Sequence, residues 1–430
     1  MKKKMLLLIC FISVILIISF CYVKITKCKV ENKLLTKEQV LEDRTQVIKY
    51  LEEIHPFFLL EEDQSEYIKV KKDYIQNTSA KMTLEEFQIE TSIYLSSLND
   101  GHTGVWMKKT EENPFLQLEQ IYEDGKTWLC KKGEKTNLYV KEIGNIPIAQ
   151  IYEKIDQVFP IENEMGCIAY RESEIIDKSI LKLCNTEIEG NTVEILFSDS
   201  SKKTYFFSNK RIGEKWEKVS PNSSYMEGNI FIIDFNECFV DENLKEIVNE
   251  LKSAIDAGVQ DVIIDARGNG GGHTAAPILI LNAMGMYPPD FSKIVVRYSK
   301  WAKELMGYTQ DEGIEIYNNN DTKGIKTNES INLIVLSDRD TFSSAKDLLL
   351  WVRDEKFGKI IGEPSTNKPN SYGGSFKFTL KNSKVDVSIA HNLSIRADAS
   401  NQEDMLIPDI ETSSEDAYDV AIEMIKNSTK

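Results

Sequence analysis

The sequence predicts an α/β (mixed α+β) multidomain protein, and three stretches of different pattern along its 430 residues carry that reading. Apolar residues at helical spacing dominate up to about Leu98, short β-rich segments follow to Phe207, and strands alternating with helices fill the rest. The chain divides accordingly into an apolar amino-terminal segment (1–28), a helical region (30–105), a β-rich module (106–210) and a core of βαβ units (211–425). An apolar fraction of 41% with mixed charge suits packed cores rather than disorder.

At the amino end, Lys2-Lys3-Lys4 precedes an uncharged run from Met5 to Val23 built mainly of Leu, Ile, Phe, Val and Cys. About 20 apolar residues cross a bilayer as a helix, and flanking lysines stay on the cytoplasmic side. The run therefore reads as a membrane anchor that leaves the remaining chain extracytoplasmic, at the cell surface. A cleaved signal peptide, which would make the protein secreted, is the competing reading; the run is long for a signal h-region and no small-x-small site closes it. The net charge of −16, with no basic stripe to neutralise phosphates, argues against a nucleic-acid partner. Beyond Cys10, Cys21 and Cys28, the cysteines Cys130, Cys167, Cys184 and Cys238 show no CxxC spacing. Zinc and thioredoxin-like chemistry lack support, and the four read more simply as small buried hydrophobes than as a disulfide framework, with pairing of some of them in an exported protein left open.

In the helical region, Thr36-Lys37-Glu38-Gln39 and Thr83-Leu84-Glu85-Glu86 are capping boxes. The first helix runs to the Pro56 breaker; the second carries Leu84, Phe87, Thr91, Tyr94, Leu95 and Leu98 on one face, and Asn99-Asp100-Gly101 ends it just before His102. In the β-rich module, Thr127–Cys130, Asn137–Val140 and Thr192–Phe197 read as strands. Val140 to Ile148 and the helical stretch after it resemble the ligand-binding half of a PDZ-like domain, with an exposed sheet edge for an extended peptide. In the core, the strand-like Asn229–Phe235, the helix Glu242–Ala257 with Leu244, Ile247, Val248, Leu251 and Ile255 on one face, and the buried strand Asp261–Ile264 make a βαβ unit. Strand and helix segments near 293–298, 331–337 and 346–356 extend it, and ligands in such cores sit at the carboxyl ends of strands.

Two such ends carry chemistry. Asp265-Ala266-Arg267-Gly268-Asn269-Gly270-Gly271-Gly272 follows a strand, and its glycines let backbone N–H groups turn toward an anion or oxyanion. His273 stands where a dinucleotide loop needs its last glycine. Thr341-Phe342-Ser343-Ser344-Ala345 joins the run Ile331–Ser337 to a helix, so Ser343 sits at a strand-to-helix turn where free N–H groups favour negative charge. Helix capping is the simpler role for such a serine.

These two blocks, with the later Gly362-Glu363-Pro364-Ser365-Thr366 turn, resemble in order and type the serine peptidase family of C-terminal processing (tail-specific) proteases and tricorn core peptidases. The resemblance spans about 225 to 412, with an outlying block at Leu98-Asn99-Asp100-Gly101-His102-Thr103. It implies that Ser343 is the nucleophile and that Gly271 and the N–H of Ser344 are oxyanion donors. The family uses two kinds of base. His102 matches the histidine block of tricorn-type members, whereas Lys368 lies 25 residues after Ser343, near the processing-protease lysine, but in Asn367-Lys368-Pro369 rather than Gly-Lys-Gly. His102 is the favoured base, and Glu403, ahead of Pro408-Asp409, is the glutamate expected to orient it.

His55, His273 and His391 show no metal-ligand spacing and no HExxH occurs, so neither metal nor cofactor is implied. The aromatics Trp301, Tyr308, Tyr317 and Tyr372 fit a packed core better than a cleft. The expected function is a serine-type peptidase that hydrolyses polypeptide substrates through an acyl-enzyme at the outer face of the membrane. The alternative is a catalytically inactive peptide- or small-ligand-binding protein on the same fold.

Overall fold

The strands Ile230–Asp234, Asp261–Asp265 and Asn332–Ser337 are near-continuous apolar runs, as parallel strands covered on both faces require. In the computed structural model, which describes residues 32–212, 221–319 and 323–428, they form the middle of a six-stranded sheet. Its order is 223–227, 230–234, 261–265, 332–337, 358–362, 410–411, parallel throughout except for the first, antiparallel pair. The helices Glu242–Asp256, Ala275–Ala283 and Ser344–Asp354 pack on one face, and Ala417–Ser428 covers the other. Leu244, Ile247, Val248 and Leu251 are buried as their spacing predicts. Because the strands run parallel, the segments leaving Asp265, Ser337 and Gly362 emerge at the same edge of the sheet. Those are the glycine loop, the serine turn and the Glu363–Asn367 turn.

In the helical region Thr36 and Thr83 accept hydrogen bonds from the N–H groups of Gln39 and Glu86, whose side chains return the bond, so both capping boxes are formed. The helix Leu84–Ser96 gives way to a turn in which Asn99 takes a positive φ of 48°. The chain then enters the strand Gly104–Trp106, which pairs antiparallel with Asp386–Ile389 from the far end of the sequence. Two bonds pin the intervening turn to the same partner: Ser388 Oγ donates to the His102 carbonyl at 2.9 Å, and the Ala390 N–H donates to Thr103 Oγ1 at 3.0 Å.

The β-rich module is a twisted sheet ordered 115–116, 202–208, 192–197, 134–143, 126–131, 120–123, with the short strand Ile146–Pro147 added beside 134–143. The helices Ile148–Val158, Glu164–Glu174 and Lys178–Leu183 accompany it. The strand expected to offer an open edge at Val140 is instead flanked on both sides, by Lys126–Lys131 and Thr192–Phe197. The module docks on the core through Asn163 Nδ2, which donates to the Ser365 carbonyl at 3.0 Å, and through Arg339, which bridges Glu172 at 3.1 Å and Glu363 at 3.2 Å.

Cys130, Cys167, Cys184 and Cys238 are all free thiols. The apolar run at 5–23, with Cys10, Cys21 and Cys28, lies outside the described residues, and among those no helix is long and apolar enough to cross a membrane. Trp301 packs against Tyr50 and Phe378, and Tyr372 against His55, in keeping with a packing role.

The Thr83 box starts the helix that leads to the His102 turn. Thr83→Ala removes its side-chain cap and is expected to cost about 0.5–2 kcal/mol of stability, read as a lower thermal midpoint with the folded far-UV spectrum unchanged.

Candidate active site

Ser343 is held in an unusual backbone conformation, with φ 53° and ψ −124° immediately before the helix Ser344–Asp354. Non-glycine residues in such regions cost about 1–3 kcal/mol, and surrounding contacts must impose them. Here the Ser343 N–H donates to Asn367 Oδ1 at 3.0 Å, which takes the group out of the helical ladder. Its hydroxyl makes no capping bond. Ser343 Oγ instead lies 3.0 Å from His102 Nε2, so the simple capping role is excluded and the two sequence blocks meet.

The His102 ring is nine-tenths buried, with the Phe342 ring 4.9 Å away between centroids. Behind it stands Asp100, wholly buried. Asp100 Oδ1 accepts the His102 backbone N–H at 3.0 Å and lies 3.7 Å from the ring Nδ1. An Nε2 that accepts the serine proton leaves Nδ1 as the protonated nitrogen, aimed at this carboxylate and otherwise without a partner. Such bonds are often long before substrate binds. Asp100 Oδ2 faces His55 Nε2 at 3.2 Å, and His55 Nδ1 accepts the Phe57 N–H at 3.2 Å, which places the His55 proton on Nε2 toward the carboxylate. Burial alone would raise the Asp100 pKa, but the hydrogen bonds from His102 and His55 outweigh it and hold the group well below the usual carboxylate range.

A second carboxylate, Glu162, enters from the β-rich module and is also buried. Its Oε1 accepts the Gly101 N–H at 2.7 Å; its Oε2 accepts Asn367 Nδ2 at 2.8 Å and the Lys368 N–H at 2.7 Å. Burial and the neighbouring Asp100 charge push its pKa up, against the hydrogen bonds from Lys368 and Asn367 that favour the ionised form. Asp100, His102 and Glu162 each place a ligand-type atom within 4.8 Å of the others. Every carboxylate oxygen among them accepts a hydrogen bond or faces a ring nitrogen.

The other expected residues lie elsewhere. Lys368 directs its ammonium to Asp404, 3.9 Å away, and makes no hydrogen bond to Ser343. The position beside the nucleophile is filled by Asn367, and only the backbone of Lys368 enters the network. Glu403, itself exposed, pairs with Arg353 and the buried Arg396, and Asp100 occupies the orienting place expected for it. At the oxyanion side, the Ser344 N–H at the helix start has no hydrogen-bond partner among the described residues. The Gly271 N–H, however, donates to Asn269 Oδ1 at 2.9 Å, an Asx-type bond that competes with a substrate oxygen. The adjoining Gly272 N–H has no hydrogen-bond partner among the described residues. What Gly271 does supply is room: a Cβ there would lie 2.6 Å from Ser343 Cβ and 2.8 Å from the Phe342 carbonyl, at a φ of +94°.

Sequence reasoning missed the roles of Asp100 and Glu162. Asp100 had a signal, its place two residues before His102 in the turn; Glu162 had none, because its partners are 61 and 205 or more residues away. A cleft of about 870 Å³ opens above Ser343 and His102, with Trp106, Met107, Met306, Phe376 and Lys377 on its walls.

Residues 228–412 match the family model described as Peptidase family S41. No curated protein matches the chain by sequence. Among solved structures, mature CPAF complexed with lactacystin is 13% identical with a TM-score of 0.54, covering 91% of this chain and 97% of that one. Mature CPAF alone is 11% identical with a TM-score of 0.55, over 90% and 96%. A photosystem II D1 C-terminal processing protease is 14% identical with a TM-score of 0.42, over 89% and 94%. The likeness to CPAF shows a shared fold along nearly the whole chain.

Two outcomes follow from this geometry. Gly271→Ala should leave a folded protein that has lost at least about a hundredfold in its reaction with serine-directed probes, a loss of the size seen when oxyanion geometry fails. Asp100, ionised in the folded state far below the unfolded carboxylate value of about 3.9, stabilises the fold above that value, and this stability is lost as pH falls toward the folded pKa. Thermal midpoints measured from pH 6 down to pH 3 should therefore fall more steeply for the wild type than for Asp100→Asn.

Proposed function

From a core, residues 228–412, that belongs to serine peptidase family S41, we propose that the chain hydrolyses peptide bonds through an acyl-enzyme on Ser343. The observation that carries this reading is the 3.0 Å contact between Ser343 Oγ and His102 Nε2, backed by buried Asp100. Ser343 Oγ attacks the peptide carbonyl carbon as its proton passes to His102 Nε2. The oxyanion forms beside the free N–H groups of Ser344 and Gly272, at the positive end of the helix Ser344–Asp354. His102 then gives the proton to the leaving amine, which departs with the chain on the carboxyl side. Water attacks the ester carbon as it loses a proton to His102 Nε2, which passes that proton to Ser343 Oγ as the ester C–O bond breaks, so that the serine hydroxyl is restored and the carboxylic acid product leaves. The Asp100 carboxylate stabilises the imidazolium at both stages.

A hydrogen-bonded nucleophile and base favour this reading over a binding protein on the same fold, which needs no such pair. The cleft, open and walled by Trp106, Met107, Met306 and Phe376, suits an extended polypeptide with apolar side chains. We read residues 1–28 as the membrane anchor, with 30–105, 106–210 and 211–425 as the helical, β-rich and peptidase domains on the outer side; Lys2-Lys3-Lys4 ahead of the apolar run supports that orientation.

Treatment of the full chain with a fluorophosphonate tests the chemistry. Labelling should vanish in Ser343→Ala, fall about a thousandfold or more in rate in His102→Ala, and stay within about twofold of wild type in Lys368→Ala and Glu403→Ala. Labelling that survives Ser343→Ala, or that is absent from folded wild type, overturns the reading. On a peptide substrate, Asp100→Asn should lower kcat by about three to four orders of magnitude while leaving KM nearly unchanged.

A further inference from the structure

Glu162 is buried, carries a carboxylate beside another carboxylate, and comes from a different module than the groups it touches. Such a placement is costly unless the charge is matched by donors. The donors are present and come from two segments: the Gly101 N–H on one oxygen, Asn367 Nδ2 and the Lys368 N–H on the other. Gly101 adjoins His102. Asn367 is the residue whose Oδ1 holds the Ser343 N–H and so maintains the backbone conformation of the nucleophile. One carboxylate thus ties the turn of the base to the turn that holds the nucleophile, and it does so from the β-rich module.

Packing leaves little room for a substitute. A Cβ on Gly101 would lie 2.8 Å from the Phe342 ring and 2.9 Å from Glu162 Oε1, so the turn is pressed between nucleophile loop and clamp. The carboxylate is an acceptor at both ends, whereas an amide in its place must present an NH2 to one set of donors. Beside Glu162, Asn163 donates to the Ser365 carbonyl and accepts the Gly166 N–H at the start of the helix Glu164–Glu174. The residues that dock the module on the core and the residue that reaches the active site are therefore consecutive.

We propose that Glu162 is a positioning residue for the peptidase reaction, through which docking of the β-rich module aligns Ser343 with His102. The proposal rests on Ser343 and His102 as nucleophile and base. Glu162 touches neither reacting atom. It acts through Gly101 and Asn367, so an undocked module leaves both loops without their common acceptor.

The test compares full-length wild type, Glu162→Gln, Glu162→Asp and Val193→Ala. Val193 lies in the core of the same module, away from the site, and its truncation loosens the module without touching the clamp. Three quantities are read: the rate of fluorophosphonate labelling, the thermal midpoint, and hydrogen exchange in peptides covering 99–104 and 365–370. Glu162→Gln should slow labelling by at least about tenfold and speed exchange in both loops, while Val193→Ala lowers the midpoint as much or more yet labels within about twofold of wild type. Glu162→Asp, which keeps the charge on a shorter arm, should label faster than Glu162→Gln. The proposal is overturned if Glu162→Gln labels within about threefold of wild type, if labelling tracks the midpoint across Glu162→Gln and Val193→Ala alike, or if exchange in the two loops is unchanged. A wild type that fails to label counts against the peptidase reading alone, since loop exchange still decides whether Glu162 clamps both turns.

Discussion

The site depends on one hydrogen bond between Ser343 and His102, residues 241 positions apart. Closing so long a loop is entropically unfavourable, and the 3.0 Å contact cannot supply the free energy to close it. The closure is supported by secondary structure on either side. The parallel sheet delivers the glycine loop, the serine turn and the Asn367 turn to one edge, and the strand Gly104–Trp106 pairs with Asp386–Ile389 so that His102 is carried to that edge. The bond is thus a consequence of the fold, made when distant segments of the described chain assemble.

Charge is arranged around this bond with opposite consequences for two buried acids. Asp100 meets two histidines, and their hydrogen bonds outweigh burial and keep it ionised, which is the state needed to stabilise an imidazolium. Glu162 has burial and the Asp100 charge against it; its hydrogen bonds all come from amide N–H donors, and the nearby His102 favours its ionised form without bonding to it. The difference follows from partner type: histidine can share positive charge with a carboxylate, whereas a backbone amide offers only its dipole. The exchange of Gly-Lys-Gly for Asn-Lys-Pro fits the same pattern. Asn367 takes the place beside Ser343 and joins Glu162 to it, while the Lys368 ammonium turns out toward Asp404.

Much of the fold was legible locally. Both capping boxes, the helix Glu242–Asp256, the strands of the core sheet and the serine at a strand-to-helix turn follow from patterns within some fifteen residues. His102 was legible from its Asp-x-His turn. Glu403 was misplaced because an acid with the right spacing along the chain has no means of showing that Arg353 and Arg396 lie closer to it than His102 does. Around Val140, β periodicity identifies a strand but says nothing of which neighbours will pair with it, and the strand Glu134–Ile143 pairs with Lys126–Lys131 and Thr192–Phe197.

By itself, the sequence determined the local conformations, since these rest on propensity, capping and periodicity over short spans, while the ordered motif blocks pointed to Ser343 and His102 through a family resemblance. The tertiary structure alone decided which base reaches Ser343, which acid stands behind it, and that Glu162 joins the two loops. Those outcomes turn on distances of about 3 Å between segments tens to hundreds of residues apart. Hydrogen bonding falls away within a fraction of an ångström beyond such distances, and no one-dimensional pattern encodes separations that fine.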